Sequence, residues 1–147
     1  MKLLANIDGA SRGNPGPGAS AAVLRNAEGT KVRECGLYLG ECTNNVAEYT
    51  ALALALELAL TSGATELDVS SDSELLVKQY SGEYKIKNAE LASLMAGIRM
   101  QAAKFTRVSL KHVPREQNAA PDALANITLD LAAHCAPRAA ARQLKLF

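Results

Sequence analysis

Cysteine is scarce, long apolar runs are missing, and net charge is nearly absent: the 147-residue chain has three cysteines and a formal charge of +1. Cys35, Cys42 and Cys135 are odd in number and lack metal-ligand spacing, which argues against a disulfide scaffold and for a reducing, cytoplasmic setting. No apolar run approaches the roughly 20 residues that cross a bilayer, so no membrane association is expected. The start, Met1 to Asp8, meets a polar residue too early for a signal peptide. Internal repeats, low-complexity tracts and Pro/Ser-rich linkers are also missing. These absences leave one domain, residues 1–134, with a short tail over 135–147.

The composition that remains, 48% hydrophobic and 21% charged, suits a globular core. The small net charge hides an uneven distribution. Residues 1–72 carry five Lys/Arg against nine Asp/Glu, whereas residues 73–115 carry eight against three. An acidic first half suits cations and a basic middle suits phosphates, although a charge fluctuation of this size is also ordinary.

Hydrophobic patterning divides the domain into nine elements. Strands are expected over 2–9, 19–26 and 31–39, with the glycine–proline loop Gly13 to Gly18 after the first. A long Ala/Leu-rich helix over 45–61 is stopped by Gly63, followed by a strand over 67–71 and a short helix over 73–80. Asn88 caps a helix reaching about Lys104, a last strand covers 108–113, and a last helix runs from Ala119 to about Ala133. The order βββαβααβα predicts an α/β fold. Its mixed five-stranded sheet has three antiparallel strands, then two parallel additions, with helices on both faces.

Four carboxylates stand at element edges. Asp8 ends the first strand, Glu48 lies in the first turn of the long helix, Asp72 ends the fourth strand, and Asp122 opens the last helix beside Pro121. Each has a structural explanation. Asp8 can initiate a turn, Asn45-Val46-Ala47-Glu48 and Ser71-Asp72-Ser73-Glu74 have capping-box form, and Asp122 can offset a helix dipole. Ala51, Leu52, Ala55 and Ala59 follow Glu48 on one helical face, so that face turns inward and Glu48 needs a partner there. Strand C-terminal ends and helix N-termini are where side chains from different elements converge. Four converging carboxylates stay ionised only with cations between them, and hard oxygen ligands select Mg²⁺ or Mn²⁺.

The blocks Asp8-Gly9-Ala10-Ser11-Arg12-Gly13-Asn14-Pro15-Gly16-Pro17-Gly18, Thr43-Asn44-Asn45-Val46-Ala47-Glu48-Tyr49, Ser71-Asp72-Ser73-Glu74-Leu75-Leu76-Val77 and Asn118-Ala119-Ala120-Pro121-Asp122-Ala123-Leu124-Ala125-Asn126 resemble the type 1 ribonucleases H, in family order. The resemblance implies the ribonuclease H-like fold and hydrolysis of the RNA strand of RNA–DNA hybrids, leaving 5′-phosphate and 3′-hydroxyl ends. It also implies two Mg²⁺ ions, replaceable by Mn²⁺, on Asp8, Glu48, Asp72 and Asp122. Arg12, Gly13, Asn14 and Asn45 are implied readers of RNA 2′-hydroxyls, with Thr43 and Asn44 at a DNA phosphate and Ser73 a further substrate contact. The stretch Ser81 to Lys87 leaves no room for the extra basic helix of some members, so hybrid binding falls to Lys78, Lys85 and Lys87. The loop Pro114-Arg115-Glu116-Gln117 lacks the histidine that some members place there. Glu116 and His112 are therefore the auxiliary candidates, and Pro121 is expected to shift Asp122 slightly.

The last five residues resemble the short peptide by which bacterial replication and repair proteins bind the sliding clamp. Gln143 is a polar anchor, and Leu144, Leu146 and Phe147 are spaced for an apolar groove. The expected consequence is micromolar clamp binding that deletion of residues 143–147 abolishes. A fold-back amphipathic end is the alternative. The rival functions are the same fold acting more broadly on double-stranded RNA, and a non-catalytic hybrid-binding module. A monomer is the simplest assembly.

Overall fold

Alternating apolar residues in the first third of the chain produce three long strands, β1 (Lys2–Ser11), β2 (Gly16–Arg25) and β3 (Lys31–Cys42), paired antiparallel. In the computed structural model, which describes the backbone of residues 1–146 and the side chains of residues 1–135, helix α1 (Asn44–Thr61) leads on to β4 (Glu66–Ser71). Helices α2 (Glu74–Ser81) and α3 (Ala89–Ala102), strand β5 (Arg107–His112), a 3₁₀ turn (Arg115–Gln117) and α4 (Ala119–Leu146) complete the order. The sheet runs β3-β2-β1-β4-β5. Both β1–β4 and β4–β5 are parallel, because each later strand is reached through a helical crossover.

The expected element order and mixed sheet are both present, with several boundary corrections, among them β3, which runs past 39 to Cys42 because Cys42 still pairs with Gly16. Strand β1 runs past Asp8 to Ser11 and β2 starts at Gly16, because Asp8 to Ser11 pair with Ala21 to Gly18. The loop is therefore shorter than Gly13 to Gly18. The long helix begins at Asn44, one residue early, because Thr43 is its cap. Helix α4 continues beyond Ala133, where the sequence consists mostly of strong helix formers. The side chains of Gln143, Leu144, Leu146 and Phe147, and with them the clamp-peptide expectation, lie outside the described residues.

Neighbouring residues of β2 show that helices cover both sheet faces. The Ser20 hydroxyl donates to the Ala47 carbonyl of α1 at 2.6 Å. The next residue, Ala21, pairs with Gly36, where a Cβ would fall 2.1 Å from the Thr128 hydroxyl of α4. Since successive residues point to opposite faces, α1 and α4 sandwich the sheet. Leu3, Ile7, Leu24, Leu52, Leu56 and Leu67 form the centre of the buried core on the α1 side.

Gly9 fixes the closest approach in this packing. A Cβ there would lie 2.2 Å from the Ala47 carbonyl carbon, so only glycine lets the start of α1 lie directly on β1. On β4, Asp68 straps three strands together: Lys2 of β1 reaches it at 2.9 Å, and Arg107 and Ser109 of β5 at 2.8 and 2.7 Å. Among the described residues, all three cysteines are free and no helix is long and apolar enough to cross a membrane.

Candidate active site

The parallel pairing of β1 and β4 ends at Ile7 opposite Ser71, and each of these residues is followed by an aspartate. Register alone therefore sets Asp8 beside Asp72. Gly9 brings in α1, and with it Glu48, so that ligand oxygens of Asp8, Glu48 and Asp72 all lie within 4.8 Å of one another. Asp122 is not one of these three. It lines the same cleft as Asp8, close enough for its charge to raise the Asp8 carboxyl.

Asn118, which the motif blocks contained but which was given no role, explains how Asp122 arrives. Its side chain is buried and donates to the Ile7 carbonyl at 2.7 Å, while accepting from Asn6 at 3.1 Å. Its own carbonyl accepts the Asp122 N–H at 3.3 Å. The start of α4 is thus pinned to the residue preceding Asp8. Pro121 occupies the first turn of α4, where a missing N–H is harmless, and Asp122 still lines the cleft with Asp8.

The capping roles considered for Glu48 and Asp72 belong to other residues. Thr43 caps α1 by accepting the Val46 N–H, which places Glu48 beyond the position of a capping box. Ser73 caps α2 by accepting the Leu76 N–H, so Asp72 precedes the cap. Both carboxylates are left to the cleft.

Crowding costs these groups their usual acidity. Burial first, then the Asp72 charge, then the hydrogen bond and charge of Asp122, push the Asp8 carboxyl up to about 7. Burial first, then the Asp8 and Asp72 charges, push Glu48 up to about 9. The Gly9 backbone N–H opposes both shifts. Glu48 Oε2 is fully buried with no hydrogen-bond partner. An orphaned carboxylate oxygen among two further carboxylates fits a hard cation, which supplies the missing charge and ligand field together.

The carboxylates line an open cleft of about 550 Å³ that also contains Asn44, Asn45, Ser73, His112 and Arg115. His112 ends β5 at the rim, whereas Glu116, in the 3₁₀ turn, is exposed and outside the lining. Arg115 faces Asp122, its guanidinium 4.0 Å from that carboxylate. Sequence reading passed over Arg115 because a lone loop arginine carries no signal until the loop folds over the cleft.

The other expected contacts divide into four groups. Asn14, Thr43 and Asn45 line a separate pocket of about 270 Å³ with Asn88. Asn44 is occupied internally: its side-chain oxygen accepts the Ser11 N–H and hydroxyl at 2.9 and 3.0 Å, and its own N–H donates to Asn14 at 3.1 Å. Arg12 turns to α4, 2.6 Å from Asp130, and leaves Gly13 at a φ of +103° that suits glycine. Lys78 is held by Glu83 at 3.2 Å and lies over the Tyr84 ring, while Lys85 and Lys87 are exposed.

A family profile described as reverse transcriptase-like matches residues 6–128. A ribonuclease HI of Halobacterium salinarum is 43% identical over 129 residues, covering 88% of this chain and 65% of its own length. The crystal structure of ribonuclease H1 from that archaeon superposes with a TM-score of 0.86 at 42% identity, covering 88% of this chain and 98% of that one. The chain belongs to the type 1 ribonuclease H family. Within this family, the N-terminal ribonuclease H domain of a Mycobacterium tuberculosis protein, solved as a maltose-binding-protein fusion, superposes with a TM-score of 0.88 at 42% identity, covering 92% of this chain and 99% of that one. A ribonuclease H1 solved in complex with an RNA/DNA hybrid superposes with a TM-score of 0.84 at 38% identity, covering 88% of this chain and 98% of that one. The chain spans 38% of the length of the first curated relatives it matches, among them a bifunctional protein of M. tuberculosis, 42% identical over 137 residues.

Proposed function

We propose that this chain is a metal-dependent endoribonuclease that hydrolyses the RNA strand of RNA–DNA hybrids. The observation that carries this reading is the buried, unpartnered Glu48 Oε2 packed against the Asp8 and Asp72 carboxylates. A hybrid-binding module has no use for such a cluster, because negative charge there repels phosphate. Membership of the type 1 ribonuclease H family, and a member solved with an RNA/DNA hybrid, support the substrate.

Asp8, Glu48, Asp72 and Asp122 are the catalytic and metal-holding residues in this reading, and their all-oxygen donor set favours two Mg²⁺ ions, with Mn²⁺ as a substitute. When bound, such ions supply an activated water and charge stabilisation of the departing oxygen. Asp8 and Asp72 hold the reacting phosphate's surroundings in fixed register, because each follows the last β1–β4 pair. Hydrolysis breaks the bond between phosphorus and the 3′-oxygen, leaving a 5′-phosphate and a 3′-hydroxyl. Gly13, Asn14 and Asn45 read 2′-hydroxyls, the only feature that separates RNA from DNA at one position. Arg12, paired with Asp130 of α4, flanks the loop that carries Gly13 and Asn14. Thr43, Asn44 and Ser73 border the strand path, and Lys85 and Lys87, more than Lys78, grip the backbone. His112 at the rim is the better auxiliary than Glu116, which lies outside the cleft lining.

A reducing, cytoplasmic setting is what the three free cysteines support, and a monomer is the simplest assembly. The assignment of residues 135–147 as a tail with a sliding-clamp partner rests on the resemblance of Gln143, Leu144, Leu146 and Phe147 to a clamp-binding peptide.

The test is a cleavage assay on hybrid, double-stranded RNA and double-stranded DNA under one salt and Mg²⁺ condition. The wild type is expected to cut the hybrid's RNA strand, EDTA to stop it, and Asp72→Asn to lose at least about 10²-fold in kcat while still binding hybrid. Wild-type protein that binds hybrid but leaves it intact with either metal would identify a binding module instead.

A further inference from the structure

Away from the carboxylates, one buried polar side chain has both ends of its amide committed. Gln79, in the last turns of α2, is 7% exposed. The Tyr49 hydroxyl donates to its Oε1, and its Nε2 donates to the Lys85 carbonyl at 3.1 Å. Tyr49, 1% exposed, directly follows Glu48 on α1. Lys85 belongs to the segment 82–88 that connects α2 to α3. One amide therefore ties together the helix that carries Glu48, the helix that follows Asp72, and the segment that carries Lys85 and Lys87.

A leucine here would leave the buried Tyr49 hydroxyl and the Lys85 carbonyl without a partner, so Gln79 both satisfies them and gives the packing a direction. Two hydrogen bonds select one path for a segment that has no regular structure of its own. Its other anchors lie on either side of Lys85. The Tyr84 N–H donates to the Lys78 carbonyl at 3.1 Å, Ile86 packs on the core, and Asn88 caps α3 through the Leu91 N–H at 3.0 Å. Asn88 also lines the pocket shared with Asn14, Thr43 and Asn45.

We propose that Gln79 is a positioning residue, which holds segment 82–88 so that Lys85 and Lys87 meet the backbone of a nucleic-acid duplex bound across the cleft. This rests on the proposed hybrid-cleaving function. Gln79 acts only through the segment, so it tunes binding and leaves the chemical step alone.

The experiment measures KM and kcat on an RNA–DNA hybrid at several salt concentrations for the full chain. Gln79→Met keeps the volume and loses both bonds, and is expected to raise KM at least five-fold with kcat within two-fold. Gln79→Glu keeps the acceptor for Tyr49 but loses the donor to Lys85, and is expected to match the Met variant. Tyr49→Phe keeps the Lys85 bond and is expected to stay within two-fold of wild type. In a Lys85→Ala/Lys87→Ala background, Gln79→Met should change KM by less than two-fold. An unchanged KM in both Gln79 variants, a fall confined to kcat, or a full additional loss in the lysine-free background would each overturn the proposal. A wild type that does not cleave hybrid would instead overturn the functional reading on which it rests.

Discussion

At the scale of single residues, the site is built from groups that weaken the fold. Glu48 keeps an unpartnered oxygen in the interior beside two other carboxylates, and burial and those charges push it up to about 9. Without a cation, this arrangement costs folding free energy. Glu48→Gln is therefore expected to stabilise the metal-free protein by roughly 1–2 kcal/mol while abolishing cleavage. Urea denaturation in EDTA checks the first part. Adding Mg²⁺ should raise the melting temperature of the wild type but not of the variant, because only a ligand that binds the native state stabilises it. A Gln variant less stable than wild type in EDTA would show that the carboxylate is structural. Sequence reading reached these residues only jointly, since turn, capping and dipole roles explain each one alone. Thr43 and Ser73 take the caps in the structure, a choice set by hydroxyl geometry at the helix starts that residue spacing alone does not reveal.

At the scale of elements, the order of strands and helices was legible because the periodicity is strong and the glycine and asparagine stops are clear. Boundaries were less so. The pairing of Asp8 to Ser11 with the start of β2 depends on a partner strand, and Asn118's role in placing α4 depends on contacts more than a hundred residues apart. The Asp68 strap is another tertiary feature of this kind, and it makes a pH prediction. Its carboxyl is held well below the usual range, first by the Ser109 hydroxyl, then by Lys2 and Arg107, against the opposing effect of burial. A carboxyl whose folded value lies below its unfolded one contributes stability that is complete above the unfolded pKa, about 4, and is lost as pH falls below it. Asp68→Asn should accordingly cost about 1–2 kcal/mol at pH 7, with the gap from wild type narrowing at about pH 3. Urea midpoints at the two pH values measure this. A constant gap would assign the loss to packing rather than to charge.

Across the whole molecule, the uneven charge seen in the sequence acquires a spatial meaning. Acidic residues from β1, α1 and the end of β4 gather at one cleft, and the basic middle of the chain supplies Lys85 and Lys87 on the connection between α2 and α3. The sequence treated Lys78 as their equal, but Glu83 and Tyr84 already engage it, a pairing that helix spacing alone could not show. With a net charge of +1, little long-range attraction favours a duplex, so in the proposed reading binding rests on these local contacts and on salt. Each lysine that neutralises a phosphate adds close to one unit to the slope of log affinity against log salt. Lys85→Ala/Lys87→Ala is expected to flatten that slope for hybrid binding by about 1.5–2 units. Lys78→Ala should flatten it by less than about 0.5, because breaking its contact with Glu83 offsets much of what a phosphate would return. Titrations of catalytically inactive Asp72→Asn protein across a salt series read both slopes directly. Equal flattening by all three lysines would restore Lys78 as a phosphate contact, and no flattening by any of them would place the backbone grip elsewhere on the surface.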